Sequence, residues 1–156
     1  WCLPAGPLRE PPSRLDSCDW VVINGVEKSS RAEAVVMTLD SADPVNLVTG
    51  ESMAMEDFVA RKPYCHAVAG IGNPERFFTG LESFGLRVER HPFADHHPFV
   101  QQDFTDLGED TVLMTEKDAV KCHSFAKPDW WYLPVAARLP TVFTEGVLDA
   151  VARSSR

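Results

Sequence analysis

Asp95-His96-His97 is the densest group of ionisable side chains in this sequence, and it lies within the loop Pro92–Pro98. A histidine beside a carboxylate can hold a proton near neutral pH or orient a partner base. Three such groups could instead gather a divalent metal, and the plain alternative is a solvated pair of loop histidines. Gly70-Ile71-Gly72-Asn73-Pro74-Glu75 is a second candidate. It begins as a dinucleotide fingerprint does, and Glu89 follows where a ribose-binding acid would stand. Glu75 occupies the third glycine position, however, and Pro74 removes an amide donor, so a tight strand-to-helix turn explains the segment as well. In the third candidate, Met114–Lys121, Thr115 can cap a helix, and Lys117 and Lys121 stand one turn apart as a small basic face. Arg9-Glu10 interrupts a Pro-rich coil and by itself reads as a solvated pair on a linker. No G-x-x-x-x-G-K-[ST] run occurs in the chain, so these residues cannot cradle a triphosphate in the P-loop manner.

The elements that must carry these groups follow from periodicity. Ala67–Ala69 is short, apolar and ends at Gly70, as a buried parallel strand does. Pro74 opens a helix, Phe77, Phe78, Leu81 and Phe84 recur at helical spacing, and Gly85 suits its stop. Leu86–Arg90 is the next strand, a helix covers 99–107, and Asp110–Thr115 is a buried strand. Glu116–Cys122 is a helix with acids at its positive end. Trp130–Val135 is the last strand, and Thr144–Arg153 an amphipathic helix. Upstream, residues 1–18 are Pro-rich coil and Asp19–Asn24 is a strand. Residues 32–40 and Val45–Val48 read as a β-hairpin, and a short helix covers Met53–Ala60. Strands alternating with helices predict an α/β fold: a mostly parallel sheet with helices on both faces, a Rossmann-like sandwich. The Pro-rich segment and hairpin precede it. The expected organisation is a linker segment over 1–50 and an α/β domain over 51–156. In such sheets ligands bind beyond the carboxyl ends of the strands, where the Gly70 and Asp95 loops would lie.

The chain has 156 residues, enough for a real core. Its net charge of −8 argues against a general nucleic-acid binder. No apolar run reaches the roughly 18 residues of a membrane span. Cys2, Cys18, Cys65 and Cys122 are irregularly spaced and read as reduced thiols. Cys65-His66 and Cys122-His123 invite a zinc reading, but neighbours on a strand point to opposite faces, so Cys65 and His66 should not share an ion. No metal site is assigned. The start at Trp-Cys-Leu-Pro suggests a fragment or a processed product.

Four motifs in order carry a family resemblance: Pro4-Ala5-Gly6-Pro7-Leu8-Arg9-Glu10-Pro11, Gly70–Phe77, Phe93–Phe99 and Met114–Lys121. Together they resemble the C-terminal half of the tetraacyldisaccharide 4'-kinases, the lipid A kinases of Gram-negative bacteria. The resemblance implies transfer of the ATP γ-phosphate to the 4'-hydroxyl of tetraacyldisaccharide 1-phosphate, with Mg²⁺, on the cytoplasmic face of the inner membrane. It implies that the P-loop, the Mg²⁺-binding acids, a catalytic Asp and the membrane-associating surface belong to an N-terminal domain lacking from this chain. The fragment alone is then expected to be soluble and inactive. His96 matches the family histidine thought to pair with that Asp, and Asp95 the acid before it. Arg9 and Glu10 match an Arg-Glu pair near the nucleotide and acceptor. Gly70, Gly72, Asn73, Thr115 and Lys117 fall in motifs given an accessory part, and Arg9, Arg76 and Lys117 are candidate basic groups for a lipid phosphate. From the residues alone, two rivals stand. One is a metal-dependent phosphoesterase using Asp95, His96 and His97, whose letters resemble those of a manganese phosphoesterase family. The other is a nucleotide-binding module at Gly70–Glu75.

Overall fold

A computed structural model of the chain describes residues 2–25 and 34–154. The strands are β1 (Val22–Asn24), β2 (Val35–Ser41), β3 (Val45–Asn46), β4 (Tyr64–Ala69), β5 (Arg87–Pro92), β6 (Val112–Thr115), β7 (Trp130–Leu133) and β8 (Val135–Arg138). The α-helices are α1 (Met55–Arg61), α2 (Pro74–Ser83), α3 (Glu116–Cys122) and α4 (Thr141–Ser154). Contacts divide the chain into two units, Trp1–Asp40 with Ala137–Arg156, and Ser41–Ala136. The C-terminal segment thus groups with the N-terminal one.

The larger unit is built on a five-stranded sheet in the order β3-β7-β6-β4-β5. β7, β6, β4 and β5 pair in parallel, whereas β3 runs antiparallel to β7. The sheet is therefore mixed, and the fold is a mixed α/β arrangement with two sheets. Alternation along β4 separates two cores. Cys65, Ala67 and Ala69 point to one face, with Phe58 of α1 and Phe78 and Leu81 of α2. Val68 points to the other, with Phe99, Phe104, Leu107 and α3 residues Ala119 and Cys122. Phe58 and Phe78 are fully buried, each contributing roughly 1.5–3 kcal/mol of transfer free energy. The desolvated thiols of Cys65 and Cys122 are both pushed up to about 12, as expected of inert core cysteines.

Several sequence expectations are corrected. The 32–40/Val45–Val48 hairpin does not form. β2 pairs in parallel with β1, Val22 opposite Val35, and β3 pairs with β7. The cause is Asn46: its Oδ1 accepts the amides of Val48 (3.0 Å) and Thr49 (2.9 Å), turning the chain after two strand residues, while its Nδ2 donates to Pro128 O. Ala32 and the neighbouring residue 33 lie outside the described residues. Over 99–107 the helix is a 3-10 turn, Gln101–Leu107, whose buried residues Phe104 and Leu107 are three apart, the repeat of that helix. The Pro-rich start contains a 3-10 turn at Pro12–Ser17, with prolines entering its first turn. The last expected strand is broken at Pro134, and the chain continues as β8 in the second sheet, order β1-β2-β8. α4 buries no residue fully; in its own unit Phe143 meets Trp20 edge to face. Among the described residues no helix is long and apolar enough to cross a membrane.

Candidate functional site

The sheet order places a switch point between β4 and β6. From β4 the chain turns through α2 to β5 on one side, then crosses back to β6 on the other. The loops after β4 and β6 therefore leave toward opposite faces, α2 into one core and α3 into the other. Between such diverging loops α/β proteins form their ligand crevice.

Asp118 ties this edge together. Its carboxylate is fully buried. Oδ2 accepts the Gly70 amide at 2.8 Å and the Thr115 hydroxyl at 2.6 Å, and Oδ1 accepts Lys121 Nζ at 3.0 Å. Thr115 in turn caps α3 by accepting the Asp118 amide at 3.3 Å. Gly70 is closely packed: a Cβ would lie 3.1 Å from the Phe99 ring and 3.3 Å from Asp118 Oδ1, so a side chain there needs these neighbours to give by a few tenths of an ångström. Sequence reasoning takes Asp118 only as an acid in the first helical turn. Its three partners are visible in the fold alone, although Thr115-x-x-Asp118 hints at the reciprocal cap.

The loop after β5 folds back on the same edge. The His96 amide donates to Gly70 O (3.2 Å), Asp95 Oδ1 lies 3.7 Å from Lys117 Nζ, and Asp95 Oδ2 faces Gly72. His96 adopts φ +62°, a left-handed conformation uncommon for a non-glycine residue and frequent at functional loops. Its imidazole is 73% exposed, with Nε2 3.7 Å from Asp95. His97 is the opposite case. Its Nε2 bonds Asp103 Oδ2 at 2.9 Å, and its ring packs against Phe93 and Phe99. Asp103 also accepts the Val100 amide, and that bond, then the one from His97, holds its carboxyl below the usual range against the opposing pull of burial.

The structure thus brings Gly70, Gly72, Asp95, His96, Thr115 and Lys117 to one edge. Asn73 caps α2 by accepting the Arg76 amide (3.3 Å). Arg9 and Glu10 belong to the other unit, where Glu10 pairs with Arg14 at 3.1 Å. Three readings are corrected. Lys117 and Lys121 do not make a joint basic face, because Lys121 turns inward to Asp118 and lies over Phe99. Asp95, His96 and His97 do not converge as a metal trio, since His97 is committed to Asp103. Glu89 is no ribose acid, because it accepts the Tyr64 hydroxyl at 2.7 Å, at the far end of β4 from Gly70.

A model of the family described as tetraacyldisaccharide-1-P 4'-kinase matches residues 1–152. The chain is 45% identical over 151 residues to the tetraacyldisaccharide 4'-kinase of Methylobacillus flagellatus, covering 97% of this chain and 44% of that protein. To those of Ectopseudomonas mendocina and Pseudomonas putida W619 it is 48% and 50% identical, covering 97% and 96% of this chain and 45% and 44% of theirs. The chain spans less than half the length of these curated relatives. The crystal structure of LpxK from Aquifex aeolicus in complex with ATP has the same fold, with a TM-score of 0.69 at 22% identity over 97% of this chain and 47% of that one.

Proposed function

Because this chain belongs to the tetraacyldisaccharide-1-P 4'-kinase family, we propose that it is the C-terminal part of a lipid kinase acting at the cytoplasmic face of the inner membrane. The reaction is transfer of the ATP γ-phosphate to the 4'-hydroxyl of tetraacyldisaccharide 1-phosphate. The family match across residues 1–152 carries this reading.

The chain's share of the work is positioning. Phosphoryl transfer rests on charge neutralisation and in-line placement. This sequence has no P-loop to supply them, so its edge acts on the acceptor side, excluding water and presenting His96. The exposed imidazole of His96, held out by its left-handed backbone, orients the acid that takes the 4'-hydroxyl proton. Asp95 steadies that loop against Lys117. Arg9 suits a phosphate, because its guanidinium presents a rigid fork of donors, and Glu10 accompanies it. Mg²⁺ takes oxygen ligands in an octahedral set. Asp95 faces an ammonium and Asp118 is filled by three donors, so neither fits that ion.

The test is a chimera in which residues 1–152 replace the matching part of the M. flagellatus kinase. A folded chimera should phosphorylate the disaccharide 1-phosphate from ATP, while the 156-residue chain alone should not. A folded chimera unable to transfer phosphate would overturn the assignment.

A further inference from the structure

On the outer strand pair of the larger sheet, parallel register puts His66 opposite Glu89 and Val68 opposite His91, all on one face. His66 Nδ1 and His91 Nε2 are 3.0 Å apart. Glu89 Oε1 is 3.7 Å from His91 Nε2, and Oε2 is 3.9 Å from His66 Nδ1. Among the described residues this is the group whose donor atoms all lie within 4.8 Å of one another. We propose that His66, His91 and Glu89 form a zinc site joining β4 to the edge strand β5.

The distances suit the ion. Zn²⁺ bonds imidazole nitrogen at about 2.0–2.1 Å, which places tetrahedral ligand atoms roughly 3.3–3.4 Å from one another. The two ring nitrogens, 3.0 Å apart, lie just inside that value, and each has a Glu89 oxygen within 3.9 Å, so side-chain rotations can bring one carboxylate oxygen and both nitrogens around an ion. Two imidazoles and one carboxylate favour zinc over hard cations such as Mg²⁺.

The surroundings supply an independent argument. The other ring nitrogen of His66, Nε2, faces Asp110 Oδ2 at 3.5 Å. A carboxylate on that side favours the proton on Nε2, the tautomer that leaves Nδ1 to ligate. Glu89 is itself held by the Tyr64 hydroxyl at 2.7 Å. Metal sites show this outer pattern of a carboxylate behind a ligating histidine and a hydrogen bond to the ligating carboxylate. The His66 side chain is 7% exposed and that of Glu89 56%, so an ion can enter from solvent and keep one open position. Cys65 takes no part, because its thiol is buried in the core on the opposite face.

The test is calorimetric titration of the chelator-treated chain with ZnCl₂, paired with visible absorption of the Co²⁺ form. We expect one ion per chain, tetrahedral-intensity Co²⁺ bands, and ¹⁵N shifts at His66 Nδ1 and His91 Nε2. Glu89→Gln and His91→Gln should each weaken binding at least about tenfold, and Asp110→Asn by about 10–100-fold. Glu89 is exposed, so its variant should keep the wild-type circular dichroism and settle the matter if His91→Gln misfolds. Mg²⁺ should not compete. Absence of saturable binding would overturn the proposal, as would Zn²⁺ affinity unchanged in the folded Glu89→Gln chain. In either case His66 and His91 are simply a hydrogen-bonded pair.

Discussion

Asp118→Ala is the sharpest perturbation of the site's framework. It removes the acceptor for the Gly70 amide, the Thr115 hydroxyl and the Lys121 ammonium at once. Gly70 is buried, and an orphaned buried donor costs about 1–3 kcal/mol. Lys121 is only 26% exposed, and stripping a buried ion pair of one partner costs about 3–5 kcal/mol. The two costs share one carboxylate and do not add, so the expected loss is about 3–5 kcal/mol. Against a total of about 5–15 kcal/mol, that is a large fraction of the stability. Urea unfolding followed by tryptophan fluorescence reads it directly, because Trp130 and Trp131 are 2% and 6% exposed in the same unit. Hydrogen exchange at Gly70 should accelerate in the variant. The loss should persist at raised ionic strength, since a buried pair is little screened. A loss below about 1 kcal/mol, with the Gly70 amide still protected, would refute the view that this carboxylate holds the two loops together.

Other outcomes separate chemistry from packing. In the chimeric kinase His96→Ala should lower kcat by at least about 10²-fold with ATP KM changed much less, and steady-state kinetics decide it. The same change in the isolated chain should move stability by no more than about 0.5 kcal/mol, because the imidazole is exposed. His97→Ala should do the reverse, losing about 1–3 kcal/mol in urea melts through Asp103, Phe93 and Phe99 while its kcat stays closer to wild type. Gly70→Ala should destabilise by about 1–3 kcal/mol, because the new methyl must displace Phe99 or Asp118; a neutral thermal melt would contradict that. Asp103 titrates below its usual range when folded, so its contribution is present above the unfolded carboxyl value and is lost as pH falls through the folded one. Asp103→Asn should therefore lower stability at neutral pH and flatten the fall in stability on acidification, measured by urea midpoints across pH.

How much was legible depended on the distance over which each feature is decided. The apolar strand ending at Ala69, the Phe78–Leu81 face of α2, the Pro74 helix start and the Thr115 cap involve residues within one turn or one strand, so hydrophobic pattern and capping chemistry reveal them. The α3 span Glu116–Cys122 was read at its observed bounds for the same reason. The family resemblance was legible because four short motifs keep their order along the chain. Strand partnership was not legible: Val45-Asn46 is as good a strand for β2 as for β7, and the choice rests on an Asn46 bond to Pro128, 82 residues away. The Asp118 network joins residues 48 apart, and the His66–His91 contact spans 25. Between His96 and His97 the sequence offers two equal letters; packing makes one a surface imidazole and the other a half-buried brace. Local chemistry fixes each element's beginning, end and inward face. Which elements meet is decided by the burial of their faces together, a free energy that no short window of sequence contains.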